Sequence, residues 1–156
     1  MPAVHAGTAG IAVGVGVFTF LFIASWVSLE DALYQFSDEF EKQVAIYLDI
    51  MKFVLSMAGA GIVLVVSATI FRSSDPAKPL PPRYASPLAI LALTILYGVL
   101  FMIFLARDYE VSKRGEDLYN RWRYARNKAL GFSTIMCFCL GYGWLVIAAV
   151  MGQPPQ

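Results

Sequence analysis

Few residues in this 156-residue chain could do chemistry, so their spacing carries the argument. Asp49 and Lys52 stand three apart within Ala-Ile-Tyr-Leu-Asp-Ile-Met-Lys-Phe-Val. Residues at that spacing are neighbours on a helix and can form an ion pair. Inside a membrane such a pair can serve as an ion or proton site. At a membrane edge it is a salt bridge whose lysine stem runs out toward the headgroups. Both residues precede an uncharged run over 53–71, which favours the salt bridge.

Cys137 and Cys139 look like a ligand pair, but side chains two apart on one helix point to nearly opposite sides. Chelation and an intrahelical disulfide are both awkward at that spacing, so the two read as packing thiols. His5 is the only histidine and precedes the first apolar run. Haem ligation and converging metal ligands therefore lack donors. The cluster Gly7, Gly10, Gly14 and Gly16 is not a dinucleotide loop, because no strand–helix–strand pattern surrounds it. No nucleophile stands beside a base. The expectation is a non-catalytic protein with no cofactor and no metal.

The richest polar segment is Tyr119-Asn-Arg-Trp-Arg-Tyr-Ala-Arg-Asn-Lys128, where aromatic and basic residues alternate. Such a mixture can stack on single-stranded nucleic acid. Placed directly before an apolar run, it is instead an interfacial anchor for anionic lipid. Arg121, Trp122, Arg123, Tyr124 and Arg126 are the expected anchor residues, with docking to a partner protein as the second reading. No nucleic-acid partner is expected.

Small residues form the third constellation. They are Gly10-x-x-x-Gly14, the run Ala58-Gly-Ala-Gly61, and Ser133, Cys137 and Gly141 at i, i+4 and i+8. In lipid the hydrophobic drive between helices is weak, and close backbone approach supplies the association. Gly10, Gly14, Gly59, Gly61, Ser133, Cys137 and Gly141 are thus the expected helix contacts. Ser and Thr elsewhere in the apolar runs can bond carbonyls of their own helix. Tyr97 and Tyr142 can reach across helices.

The elements that hold these residues are read from the charges. The chain is 58% hydrophobic and only 15% charged, a balance that a soluble fold of this size cannot cover with polar surface. Net charge is +1, which excludes bulk attraction to polyanions. The charges cluster in 30–42, 72–83 and 107–128, with Asp49 and Lys52 apart from the rest. Between them lie uncharged apolar runs at 10–27, 53–71, 88–106 and 129–151. Each approaches the ~20 residues that a helix needs to cross a bilayer.

The predicted fold is an all-α integral membrane protein, a single domain over 1–156. Four transmembrane helices at about 9–27, 45–71, 87–106 and 129–151 form a bundle of two helical hairpins. The runs are continuous rather than alternating, which argues against membrane strands. The first run lacks the basic flank of a secretory signal and is long for one, so it is expected to be retained.

Loop 1 carries Leu29, Ala32, Leu33 and Phe36 on one helical stripe behind a Ser28 cap, the pattern of a short amphipathic interfacial helix. Ser37 reads as the cap of the second helix. The connector 73–87 is Pro-rich and extended, better suited to a stiff spacer than to a recognition ligand. Residues 107–128 can be a charged helical extension before the fourth helix, with Glu110–Arg114 and Asp117–Arg121 as i, i+4 pairs and a bend at Gly115. Lys and Arg are more numerous in loops 1 and 3 than in loop 2. That bias places loops 1 and 3 in the cytoplasm and both termini outside, in a cytoplasmic (inner) membrane.

Contact machinery without catalytic groups points to a protein that works by assembly. It would be an accessory or scaffolding subunit, or a self-associating oligomer, with membrane lipids and other subunits or copies of itself as partners. The alternative is a homo-oligomeric pore lined by helix 2, with Ser56, Ser67, Thr69 and the Asp49–Lys52 end facing the lumen. A lipid-modifying enzyme or carrier that uses the basic third loop lacks a visible nucleophile.

Overall fold

The computed structural model describes residues 2–27, 38–72, 81–114 and 121–151. They form four long helices: α1 (Pro2–Val27), α2 (Asp38–Arg72), α3 (Ala85–Lys113) and α4 (Arg121–Val150). A 3₁₀ turn at Pro82–Tyr84 leads into α3, closed by the Tyr84 amide donating to the Pro81 carbonyl at 3.0 Å. Proline suits that turn because its fixed φ matches the first helical position and its missing donor costs nothing there.

Each of the four helices is long and apolar enough to cross a membrane. The apolar segments run His5–Val27, Val44–Ala68, Pro82–Val111 and Trp122–Val150. The expected interfacial helix in loop 1, the Ser37 cap, residues 73–80 of the connector and the bend at Gly115 lie outside the described residues. The charged extension before the fourth helix is helical from Arg121 onward, and α3 likewise continues through its charges to Lys113.

Facing residues give the helix directions. Gly10 lies on Ser86 and Gly14 on Leu93, so α1 and α3 run the same way. Asp108 meets Arg126, Phe101 meets Gly131, and Leu91 meets Gly141, so α4 runs back along α3. Leu55 reaches Gly98 and Gly61 lies near Leu91, so α2 also runs opposite to α3. Directions alternate along the chain. One end, marked by Ser86, gathers the starts of α1 and α3 and the end of α4. The other is marked by Asp108.

α3 is the centre of the arrangement, packing on α1, α2 and α4. Ile90, Leu91, Thr94, Thr134, Cys137 and Ser133 are fully buried along the α3–α4 seam. Among its large apolar side chains α3 exposes only Leu96, Val99 and Ile103. α1 and α2 each pack on both α3 and α4 but not on each other among the described residues. The expected first hairpin is therefore not a packed pair, whereas α3 and α4 do pack together. Neighbours in sequence need not be neighbours in lipid, where any apolar face can be covered by lipid tails instead of a helix.

Candidate functional site

The α1–α3 seam is built on two glycines. A Cβ at Gly10 would come within 2.5 Å of the Ser86 carbonyl oxygen, so only glycine lets the backbones approach this closely. The same contact is closed by the Ser86 hydroxyl, which donates to the Ala6 carbonyl at 2.6 Å across 80 residues of sequence. One turn further, a Cβ at Gly14 would collide with the Leu93 side chain. Its carbonyl accepts a bond from the buried Tyr97 hydroxyl at 3.2 Å. Phe18 stacks on the Tyr97 ring with centroids 5.4 Å apart, fixing the ring that carries this hydroxyl.

Along the α3–α4 seam, Ser133 and Cys137 are fully buried, and a Cβ at Gly141 would sit 3.0 Å from Leu91. The Ser133 hydroxyl has no partner among the described residues. Cys139 is exposed while Cys137 is buried, as side chains two apart on a helix must be. Two glycines that the spacing patterns passed over are also wedged, Gly98 of α3 against α2 and Gly131 of α4 against α3. A Cβ at Gly98 would meet Leu55 at 2.7 Å, and one at Gly131 would meet Phe101 at 3.2 Å. Gly98 has only Thr94 as a small residue four away, and Gly131 has none, so neither stood out as a stripe.

On α2 the two predicted glycines differ. Gly61 lies 3.4 Å from the Tyr142 ring of α4, measured from the Cβ it lacks, while at Gly59 nothing comes within 4 Å. Gly59 is thus not at a close helix contact among the described residues. The Ser and Thr hydroxyls behave as their residue types predict: Thr19, Ser56, Thr94 and Thr134 each donate to the carbonyl four residues back.

The expected anchor residues part company at the Asp108 end. Arg126 is turned toward α3 rather than outward. Its Nη2 donates to Asp108 Oδ2 at 3.1 Å, its Nε donates to Asn127 Oδ1 at 3.1 Å, and its guanidinium lies 3.8 Å from the Phe104 ring centre. Asn127 Nδ2 donates to the same Asp108 oxygen at 2.7 Å, closing a ring of three bonds. Trp122 meets Phe22 edge-on at 4.9 Å and Trp26 at 5.9 Å, which ties the start of α4 to the end of α1. Tyr124 lies under the Lys128 ammonium at 5.7 Å, and Arg123 is half-buried. The Arg121 side chain lies outside what is described.

The Asp108 cluster was not anticipated. The signal for it is positional: Asp108 is the first carboxylate after the third apolar run, and Arg126 stands just before the fourth. Antiparallel neighbours bring those two places together.

The chain matches no protein-family model, no curated protein and no solved structure.

Asp49 and Lys52 pair with each other, Nζ to Oδ1 at 3.0 Å, and remain 75% and 67% exposed. They face away from α3 and α4. Among the described residues no three of His, Cys, Asp and Glu converge. What converges instead are groups that join helix to helix: a hydroxyl on a carbonyl, a guanidinium on a carboxylate, and backbone on backbone.

Proposed function

We propose that this chain is a non-catalytic integral membrane protein that acts through assembly, as a scaffolding or accessory subunit or as a self-associating oligomer. The observation that carries this reading is the division of labour within the helices. Ser86, Tyr97 and the Asp108–Arg126–Asn127 cluster join α3 to α1 or α4, while α2 presents a charged pair outward from an apolar helix. A polar device on the outer face of a membrane helix is costly in lipid and is relieved by a partner. In the membrane the four helices close a bundle about α3 and α4. Loops 1 and 3 face the cytoplasm and both termini face outward, in keeping with the Lys and Arg bias.

The test is the composition and size of the particle purified through a tag in mild detergent. Stoichiometric companions or several copies of the chain support the reading. A lone, well-behaved monomer overturns it.

One observation favours a second reading, a pore. Asp49, Lys52 and Ser56 share the outward stripe of α2, so a ring of copies could turn that stripe toward a lumen. Ion flux through liposomes that changes on substituting Lys52 would support the pore over the scaffold.

A further inference from the structure

We infer that two copies of this chain pair across the outward face of α2, with each Lys52 ammonium reaching the partner's Asp49 carboxylate. The inference rests on the assembly reading and names its partner as a second copy.

Depth is the first support. The Asp49–Lys52 pair lies inside the apolar segment Val44–Ala68. The register of α2 on α3 pairs Leu55 with Gly98, and Asp108 stands ten residues beyond Gly98. At ~1.5 Å per residue, the α2 pair sits about 6–10 Å closer to the middle of the helices than the Asp108–Arg126 cluster does. Ionised groups at such depth normally turn toward the protein interior or another polar surface. Among the described residues this pair does neither, since the two side chains stay 75% and 67% exposed.

Charge complementarity names the occupant. Copies inserted by the same route lie parallel in the membrane, related by a two-fold axis along its normal. Asp49 and Lys52 are three residues apart, about 4.5 Å along the axis. Facing α2 helices then place each lysine diagonally across from the partner's aspartate, within reach of its flexible stem. A couple of one acid and one base is self-complementary under that symmetry, whereas a lone charge would repel its copy.

The neighbouring residues permit close approach. The same stripe carries Ala45, Ser56 and Ala60, all exposed, beside the bulkier exposed Phe53, and small side chains let helix backbones come together in lipid. The Ser56 hydroxyl is already bonded to the Lys52 carbonyl at 2.8 Å, so it enters the interface satisfied. Val63, 63% exposed, continues the stripe with an apolar contact.

The experiment co-expresses two differently tagged full-length copies, captures one tag, and measures recovery of the other together with the mass of the particle. Wild-type copies should capture each other in particles of two. Asp49→Lys alone and Lys52→Asp alone should each lower self-capture by about tenfold or more, because each aligns like charges. Co-expressing the Asp49→Lys copy with the Lys52→Asp copy should restore capture, and so should the double exchange Asp49→Lys/Lys52→Asp within one chain. These two restorations separate pairing from misfolding of the single variants.

Undiminished capture by the single variants, failure of the mixed pair to recover, or particles of more than two copies would overturn the inference. A wild-type monomer that carries other proteins stoichiometrically would also overturn it, while leaving the assembly reading in place. A wild-type monomer that carries nothing would sink both.

Discussion

A methyl group added at Gly10 would lie 2.5 Å from the Ser86 carbonyl oxygen, with the Ser86 Cα and carbonyl carbon at 3.0 and 3.1 Å. These are backbone atoms at the start of α3, held in place by the Ser86–Ala6 bond, and they cannot swing aside as a side-chain tip can. Gly10→Ala should therefore push α1 off α3 and destabilise the fold by about 1–3 kcal/mol, the usual cost of overpacking. Gly16 lies on the same helix with nothing within 4 Å of a Cβ placed there. Gly16→Ala should be neutral or slightly stabilising, since alanine is the better helix former. Thermal unfolding of the two variants in one detergent checks the contrast; equal midpoints would mean that the α1–α3 seam does not depend on this approach. The same logic separates Gly98 from Gly59, one wedged against Leu55 and the other against nothing, although sequence spacing favoured Gly59.

At the scale of the helices, one polar cluster fastens the end of α3 to the start of α4. Asp108 Oδ2 accepts from both Arg126 and Asn127, and the Arg126 and Asp108 side chains are only 20% and 13% exposed. Asp108→Ala would leave a largely enclosed guanidinium without its counter-charge. The expected loss is about 3 kcal/mol, the lower end of the range for a buried pair that loses one partner. Asp108→Asn keeps an acceptor but removes the charge, so it should fall between the two. Hydrogen exchange across 104–111 and 122–130 is the local readout; unchanged protection in the Ala variant would mean that apolar packing alone closes this end.

The four helices themselves were legible from the positions of charges, because hydrocarbon thickness dictates how long an uncharged run must be. Their partners were not. In lipid an apolar side chain reads the same whether it meets a helix or an acyl chain, so nothing local told that α1 would pack on α3 and α4 rather than on α2. Arg126 was hidden for a related reason. Its neighbours Trp122 and Arg123 make it look like part of an outward anchor, and only the antiparallel register turns it to Asp108.

For the whole molecule, the alternating helix directions carry a consequence that can be measured from the two faces of a membrane. Arg83 stands in the turn before α3, at the Ser86 end, and Arg114 stands just after α3, at the Asp108 end; both are exposed. Between them runs an apolar helix long enough to cross a bilayer, so the two should be reached from opposite sides. The natural thiols, Cys137 and Cys139, are first replaced with Ala and Ser, and Arg83→Cys and Arg114→Cys are then made separately in that background. A membrane-impermeant thiol reagent applied to right-side-out and inside-out vesicles should label each variant in only one kind. Under the proposed orientation, Arg114→Cys should label in the inside-out vesicles and Arg83→Cys in the right-side-out ones. Labelling of both variants from one side would break the alternation read from the helix pairing. Opposite labelling with the sides exchanged would keep the fold and reverse only the orientation, with the acidic residues of loop 1 as the place to look for the cause, since they sit among the charges that set it.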